Sequence, residues 1–169
     1  MNIVYDKVSM PIAHENYFPV DISADTMKEH QQNVLAKIEK YGLDAVIIYA
    51  DREHGSNFAY LTGFEPRFEE AALVLHRDGT SYLMLGNENL KMGKYSFIKS
   101  KVVHVPHFSL PNQPMETIKS MKELVAEAGI HDGMKIGCVG WKHFTSSLKE
   151  EENLLDIPEF IVEAIKQNN

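Results

Sequence analysis

Apolar positions along this chain change their period several times, and each change marks an element. Roughly the first 20 residues keep no sustained period and contain Pro11 and Pro19, which predicts an extended lead-in with one early strand or short helix at most. From Ser23 the pattern becomes helical. Met27, Gln31, Val34, Leu35, Ile38 and Tyr41 recur at the spacing of one helix face, Thr26 and Glu29 offer a capping box, and Gly42 offers a stop. Ala45–Ala50 (AVIIYA) is a continuous β-branched and aromatic run, the pattern of a central strand covered on both faces.

Ala72–Arg77 and Ser81–Leu85 flank Asp78-Gly79-Thr80, which predicts an antiparallel hairpin and therefore a mixed sheet. Gly86–Tyr95 reads as a short helix and Lys101–Val105 as another strand. Pro114 opens a helical pattern carrying Ile118, Met121, Leu124, Val125 and Ala128 before Gly129. Met134–Val139 has the look of a buried parallel strand, and Phe144–Asn153 that of a polar helix. Asp156 followed by Pro158 marks the start of a last helix bearing Phe160, Ile161, Ala164 and Ile165. Alternation of this kind predicts an α/β fold: one three-layer domain over residues 1–169, with a mixed sheet of about five to six strands flanked by helices.

Composition changes this picture little. Apolar residues are 44% and charged residues 24% of the chain, enough for a buried core. The strongly apolar runs stop far short of the ~20 residues a membrane span needs, and MNIVYDKVSM is not a basic stretch leading into an apolar one, so the expected location is the cytoplasm with no membrane partner. The net charge of −7 opposes capture of a polyphosphate and argues against nucleic acid as a partner. The single cysteine, Cys138, lies in an apolar run and reads as a strand residue rather than a nucleophile.

Nucleotide-loop, nucleophile-elbow and zincin motifs are absent from the sequence. Of the eight histidines only His104 and His107 are close, and a zinc site needs more than two ligands. The stretch Asp51–Glu70 stands out. It gathers Asp51, Arg52, Glu53, His54, Asn57, Phe64, Arg67, Glu69 and Glu70 between two buried strands, at the carboxyl end of the first, where open α/β sheets build sites. Asn57–Leu61 predicts a helical turn closed by Gly63, Pro66 turns Glu65 out of helical geometry, and Arg67 is placed to form a fork-type ion pair with Glu69 or Glu70.

The segment DREHGSNFAYLTGFEPRFEEA, Asp51–Ala71, strongly resembles the corresponding stretch of the creatinase/prolidase-type N-terminal domain found in Xaa-Pro aminopeptidases and dipeptidases. The strand ending Tyr-Ala-Asp-Arg-Glu-His, the Asn-x-x-Tyr-Leu-Thr-Gly-Phe core, Pro-Arg-Phe-Glu-Glu and the later Gly86-Asn87-Glu88 match together, and the likeness runs from Ser23 to Asp156–Lys166. The resemblance implies a ribonuclease H-like topology and a following pita-bread catalytic domain, missing from this chain, in which two Asp, one His and two Glu hold two divalent metals (Mn, Co or Zn). It implies no catalytic or metal-binding residue here, but a supporting role: covering the mouth of the active site, limiting substrate length and contributing to a homodimer. Arg52, His54, Phe64 and Arg67 are the candidates for facing that cleft or interface. Two other readings are a stand-alone interaction module and a nuclease-like enzyme with Asp51, Glu53, Glu69 and Glu70 as metal ligands.

Overall fold

The computed structural model describes residues 3–10, 21–113, 118–144 and 154–168. Residues 3–10 are exposed and carry no regular secondary structure. Helix α1, Ala24–Lys40, packs Met27 and Ile38 inward, and strand β1, Ala45–Ala50, is buried at every position. A short helix α2, Ser56–Thr62, follows, then strands β2, Ala71–His76, and β3, Ser81–Leu85. A 3-10 turn at Leu90–Tyr95 leads to β4, Lys101–His104. Helix α3, Met121–Glu127, strand β5, Ile136–Val139, and helix α4, Glu159–Lys166, complete the described elements.

The sheet order is β4-β3-β2-β1-β5. β2 runs antiparallel to both neighbours, whereas β1 pairs parallel with β5 and β3 parallel with β4. The carboxyl ends of β1, β3, β4 and β5 therefore meet the start of β2 along one edge, with Ala50 beside Ala71, Ala71 beside Leu85, and Leu85 beside His104. Side chains alternate across a strand, so one parity of β1 faces each helical layer. Ile47 and Tyr49 join Val74, Met84 and Val103 against α3 and α4. Val46 and Ile48 join Leu73, Leu75 and Leu83 against Ile38 of α1 and Phe58 and Leu61 of α2. The apolar run AVIIYA is thus two-sided because helices cover both faces, and the three-layer mixed α/β architecture expected from the sequence is present with five strands among the described residues.

Several boundaries move, each for a local reason. Ser23, not Thr26, caps α1: its hydroxyl accepts from the Thr26 amide at 3.1 Å. The second long helix begins at Met121 rather than near Pro114, because Ser120 and Glu123 form a reciprocal capping box there; Ile118 stays outside, 56% exposed. Asp156 does not cap α4. Its carboxylate accepts from the backbone amides of Trp141 and Lys142, and Pro158 occupies the cap. β5 is shorter than Met134–Val139 and half-buried, and among the described residues it pairs with β1 alone. Pro114 and most of the predicted helix Phe144–Asn153 lie outside the described residues.

Candidate functional site

The stretch from Asp51 to Glu70 crosses the carboxyl edge of the sheet, joining the end of β1 to the start of β2. Its conformation is set by short-range chemistry. The Asp51 carboxylate accepts from the amides of Glu53 at 2.9 Å and His54 at 2.8 Å, folding the chain back at once after the strand. The His54 ring closes the same turn, with Nδ1 at 2.9 Å from Asp51 Oδ1. Burial pushes the Asp51 carboxyl up, but the bonds from the His54 ring and the two amides outweigh it and hold the group below its ordinary value.

Helix α2 then runs to Gly63, whose φ of +79° ends it in the left-handed conformation. The Thr62 hydroxyl, fully buried, donates within this turn to the Phe58 and Phe64 carbonyls. Phe64 is thereby turned inward against Phe58, ring to ring at 5.2 Å and nearly perpendicular.

Two tethers fix the stretch to the loops that end neighbouring strands. At the β5 side the Asn57 amide donates to the Gly140 carbonyl at 2.6 Å, and His54 stacks on Trp141 at 4.1 Å between ring centroids. On the β3 side Glu69, 5% exposed, accepts from the Asn89 amide at 2.6 Å. Gly86 is required by this contact: a Cβ on it would lie 2.6 Å from Glu69 Oε2. Burial raises the Glu69 carboxyl above its ordinary value, against the opposing pull of its backbone hydrogen bonds. Glu70 turns the other way, accepting from the buried Tyr49 hydroxyl at 2.5 Å. Burial, that bond and the nearby carboxylates hold the Tyr49 phenol protonated far above its usual range.

These partners correct the expected Arg67 clamp. Glu69 is committed to Asn89 and Glu70 to Tyr49, and among the described residues Arg67 has no ion-pair partner. Arg52, Glu53 and Arg67 are exposed on the rim. Phe68 sits between Arg67 and Glu69 with φ at +72°, strained for a residue with a side chain, and is 62% exposed. A cavity of about 220 Å³ lies between Asp51–Glu53 and Phe68–Glu70, and a second of about 430 Å³ opens between Phe64–Phe68 and Glu88–Met92.

The sequence-predicted residues therefore divide into three. Asp51, His54 and Asn57 lock the β1 and β5 loops, Glu69 and Glu70 lock the centre of the edge, and Arg52, Glu53 and Arg67 remain on the rim above inward-facing Phe64. Trp141, Tyr49, Gly86 and Asn89 were not among the candidates. Trp141, Gly86 and Asn89 are distant in sequence and reach the edge only through strand pairing, whereas Tyr49 lies next to the stretch at the end of β1 and reads from sequence only as a core strand residue. No group of three or more His, Cys, Asp and Glu side chains that could hold a metal ion occurs among the described residues. His104 instead holds Asn87 at 2.6 Å. Among the described residues no helix is long and apolar enough to cross a membrane.

No curated protein sequence matches. Among solved structures, the chain is similar to a Xaa-Pro aminopeptidase from Streptococcus thermophilus at 18% identity and TM-score 0.44, over 66% of this chain and 73% of that one. It is similar to the prolidase of Pyrococcus horikoshii OT3 at 18% identity and TM-score 0.49, covering 83% of this chain but 30% of that one. It is also similar to an N-terminal creatinase/prolidase-like domain from Corynebacterium diphtheriae at 12% identity and TM-score 0.42, over 67% of this chain and 94% of that one. Residues 31–155 match the family described as Creatinase/Prolidase N-terminal domain, and by that match, over most of its length, the chain belongs to the creatinase/prolidase N-terminal domain family.

Proposed function

We propose that this chain is the non-catalytic N-terminal accessory domain of a Xaa-Pro dipeptidase- or aminopeptidase-type metallopeptidase. It shapes substrate access to a catalytic domain of the same protein and contributes to subunit contacts in a cytoplasmic homodimer. The observation that carries this reading is the family match over residues 31–155. The rim of the Asp51–Glu70 stretch supports it: Arg52, Arg67 and Phe68 stand exposed above a rigidly tethered base, the arrangement of a surface built to meet something outside the domain. The chain spans about a third of the prolidase chain to which it is similar, so peptidase activity is proposed for the whole protein and not for this chain. A two-metal centre acts only when its carboxylates converge on both ions, and the carboxylates of Asp51, Glu69 and Glu70 are spent on amides, a phenol and an imidazole.

Incubation of the purified chain with Mn²⁺ and proline dipeptides is expected to give no turnover; metal-dependent cleavage would refute the accessory role. In the parent protein, Arg52→Ala and Arg67→Ala should change KM or the tolerated peptide length while metal content and the rate on the shortest substrate stay as in wild type.

A further inference from the structure

Between Glu88 and Glu116 the chain carries no acidic residue but four lysines, Lys91, Lys94, Lys99 and Lys101. The rest of the chain holds 13 basic and 24 acidic residues, so the net charge of −7 conceals a basic segment set in a body of −11. The fold lays that segment along one border of the sheet. The 3-10 turn Leu90–Tyr95 packs beside β4, and β4 is the terminal strand. Lys91 lines a cavity with Glu65 and Glu88. Lys94, Lys99 and Lys101 are exposed, and among the described residues none of the three has an ion-pair partner. The acids of α3, which also packs beside β4, are engaged elsewhere, Glu123 in its capping box and Glu127 with Lys119.

The backbone of this border is open as well. Among the described residues β4 pairs with β3 alone, in parallel. Just past the strand the Val105 amide donates to the Leu85 carbonyl of β3 at 2.8 Å. In a parallel strand the amide and carbonyl of one residue point to the same side, and the side alternates along the chain. Lys101 and Val103 therefore face β3, while Val102 and His104 turn their amides and carbonyls outward. Side chains are sorted between the two faces. Val103 is buried in the core under α3 and α4, which puts Lys101 on that face, its ammonium 5.4 Å from the Tyr82 ring. Val102, 46% exposed, stands on the opposite face against Gly93, next to Lys94 and the 63% exposed Tyr95.

A strand added along β4 would meet a lysine on each face and apolar surface on one. A second copy of the same border is disfavoured, since lysine would oppose lysine. A long polyanion or an anionic membrane would also lie against the acidic remainder of the domain. The border is only ~13 Å long, and charges beyond roughly 8–10 Å are screened at physiological salt, so a narrow acidic partner meets the lysines alone. Lipid and nucleic acid also lack the alternating amides and carbonyls that complement Val102 and His104. We propose that the β4 border is a docking edge for an extended, acidic segment of a partner protein, which joins the sheet as a strand beside β4. Carboxylates of that strand pair with Lys101 on one face and Lys94 on the other, an apolar residue covers Val102 and Tyr95, and main-chain bonds to Val102 and His104 set its register. The surface uses no residue of the 51–70 stretch and is independent of the accessory-domain reading.

The test titrates the ¹⁵N-labelled chain, at about 0.15 M salt, with acetyl-Glu-Val-Glu-Val-Glu-Val-amide, whose capped ends leave only side-chain charge. Saturable amide shifts centred on residues 94–105 are expected, with the Val102 and His104 amides gaining protection from hydrogen exchange, at an affinity on the order of 0.1 mM. The double variant Lys94→Glu/Lys101→Glu should bind at least about tenfold more weakly, two attractions having become repulsions. Val102→Pro removes an outward amide that the sheet does not use, and should fold yet bind at least about tenfold more weakly. If it fails to fold, the same peptide N-methylated at every residue decides the point, because it keeps its carboxylates, loses its amide donors and should not saturate. Absence of saturable shifts at about 2 mM peptide, roughly twentyfold above the expected affinity, overturns the proposal. So do wild-type affinity in Lys94→Glu/Lys101→Glu, undiminished binding of the methylated peptide, shifts mapping elsewhere, or tighter binding to phosphatidylcholine–phosphatidylserine vesicles or to oligothymidylate than to the peptide.

Discussion

Replacing Gly86 by Ala tests whether the buried Glu69 carboxylate is the constraint that fixes the loop after β3. The backbone at Gly86 has no positive φ, so the substitution adds a methyl group without conformational strain. That methyl would sit 2.6 Å from Oε2, 2.8 Å from Cδ and 3.1 Å from Oε1 of Glu69, short of ordinary contact by about 0.8 Å at the closest atom. Glu69 is 5% exposed and cannot swing into solvent, so relief requires moving the carboxylate off the Asn89 amide it holds at 2.6 Å. Losing a hydrogen bond to a charged group costs about 1.5–3 kcal/mol, and overpacking costs about 1–3 kcal/mol. The two overlap because the shift that relieves one causes the other, which places Gly86→Ala at roughly 2–4 kcal/mol of lost stability in urea unfolding monitored by circular dichroism. The decisive comparison is the double variant. In a Glu69→Ala background the methyl meets open space, so Gly86→Ala should cost under about 1 kcal/mol there, giving a coupling of at least about 1 kcal/mol. An equal cost with and without Glu69 would refute the reasoning, since the strain would then have another source.

Three further outcomes follow from the same edge. The Glu69 carboxyl is held above its ordinary value of 4.5, so its contribution to stability is fully present below that value and is lost as pH rises through the raised one; Glu69→Gln should therefore gain on wild type as pH rises from 4 to 7, and a difference that is flat or falls with pH contradicts this. Asp51 carries the opposite slope, being held below its ordinary value, but it is common to both proteins and cancels. Phe68→Gly removes a left-handed strain worth about 1–2 kcal/mol and adds glycine's unfolded-state entropy of about 0.5–1 kcal/mol, so the urea midpoint should rise or hold; a large loss of stability would show that the exposed ring packs on the domain. Burial pushes the Cys138 thiol up, and labelling by a disulfide reagent at pH 7 should be slow in the native state and fast in urea, whereas rapid native labelling would mark a reactive thiolate.

What the sequence determined by itself was local. AVIIYA, the Asp78-Gly79-Thr80 hairpin and the helical period of Met27–Ile38 each carry their own structural instruction in side-chain shape and spacing, and each element formed where that instruction lay. Asp51 and Gly63 were legible for the same reason, since the turn and the helix stop depend on neighbours within three or four residues. Helix starts were less legible where hydroxyl residues competed, as at Ser23 against Thr26, because the winning cap is the one whose helix face meets the sheet.

The partners of Arg67, Glu69 and Glu70 were decided only by tertiary structure. Sequence proximity paired the arginine with the carboxylates, but β2 points successive side chains to opposite sides, and the chain entering it separates Glu69 from Glu70 in the same way. Glu69 meets a loop twenty residues away and Glu70 a tyrosine twenty-one residues away, because strand pairing places β3 and β1 on either side of β2. Their commitment leaves Arg67 without an ion-pair partner among the described residues, lining one cavity with Lys91 and Asn89, a juxtaposition that neither composition nor spacing encodes. Family membership was written in a contiguous motif; the chemistry of the rim depended on which distant groups the sheet brought within reach.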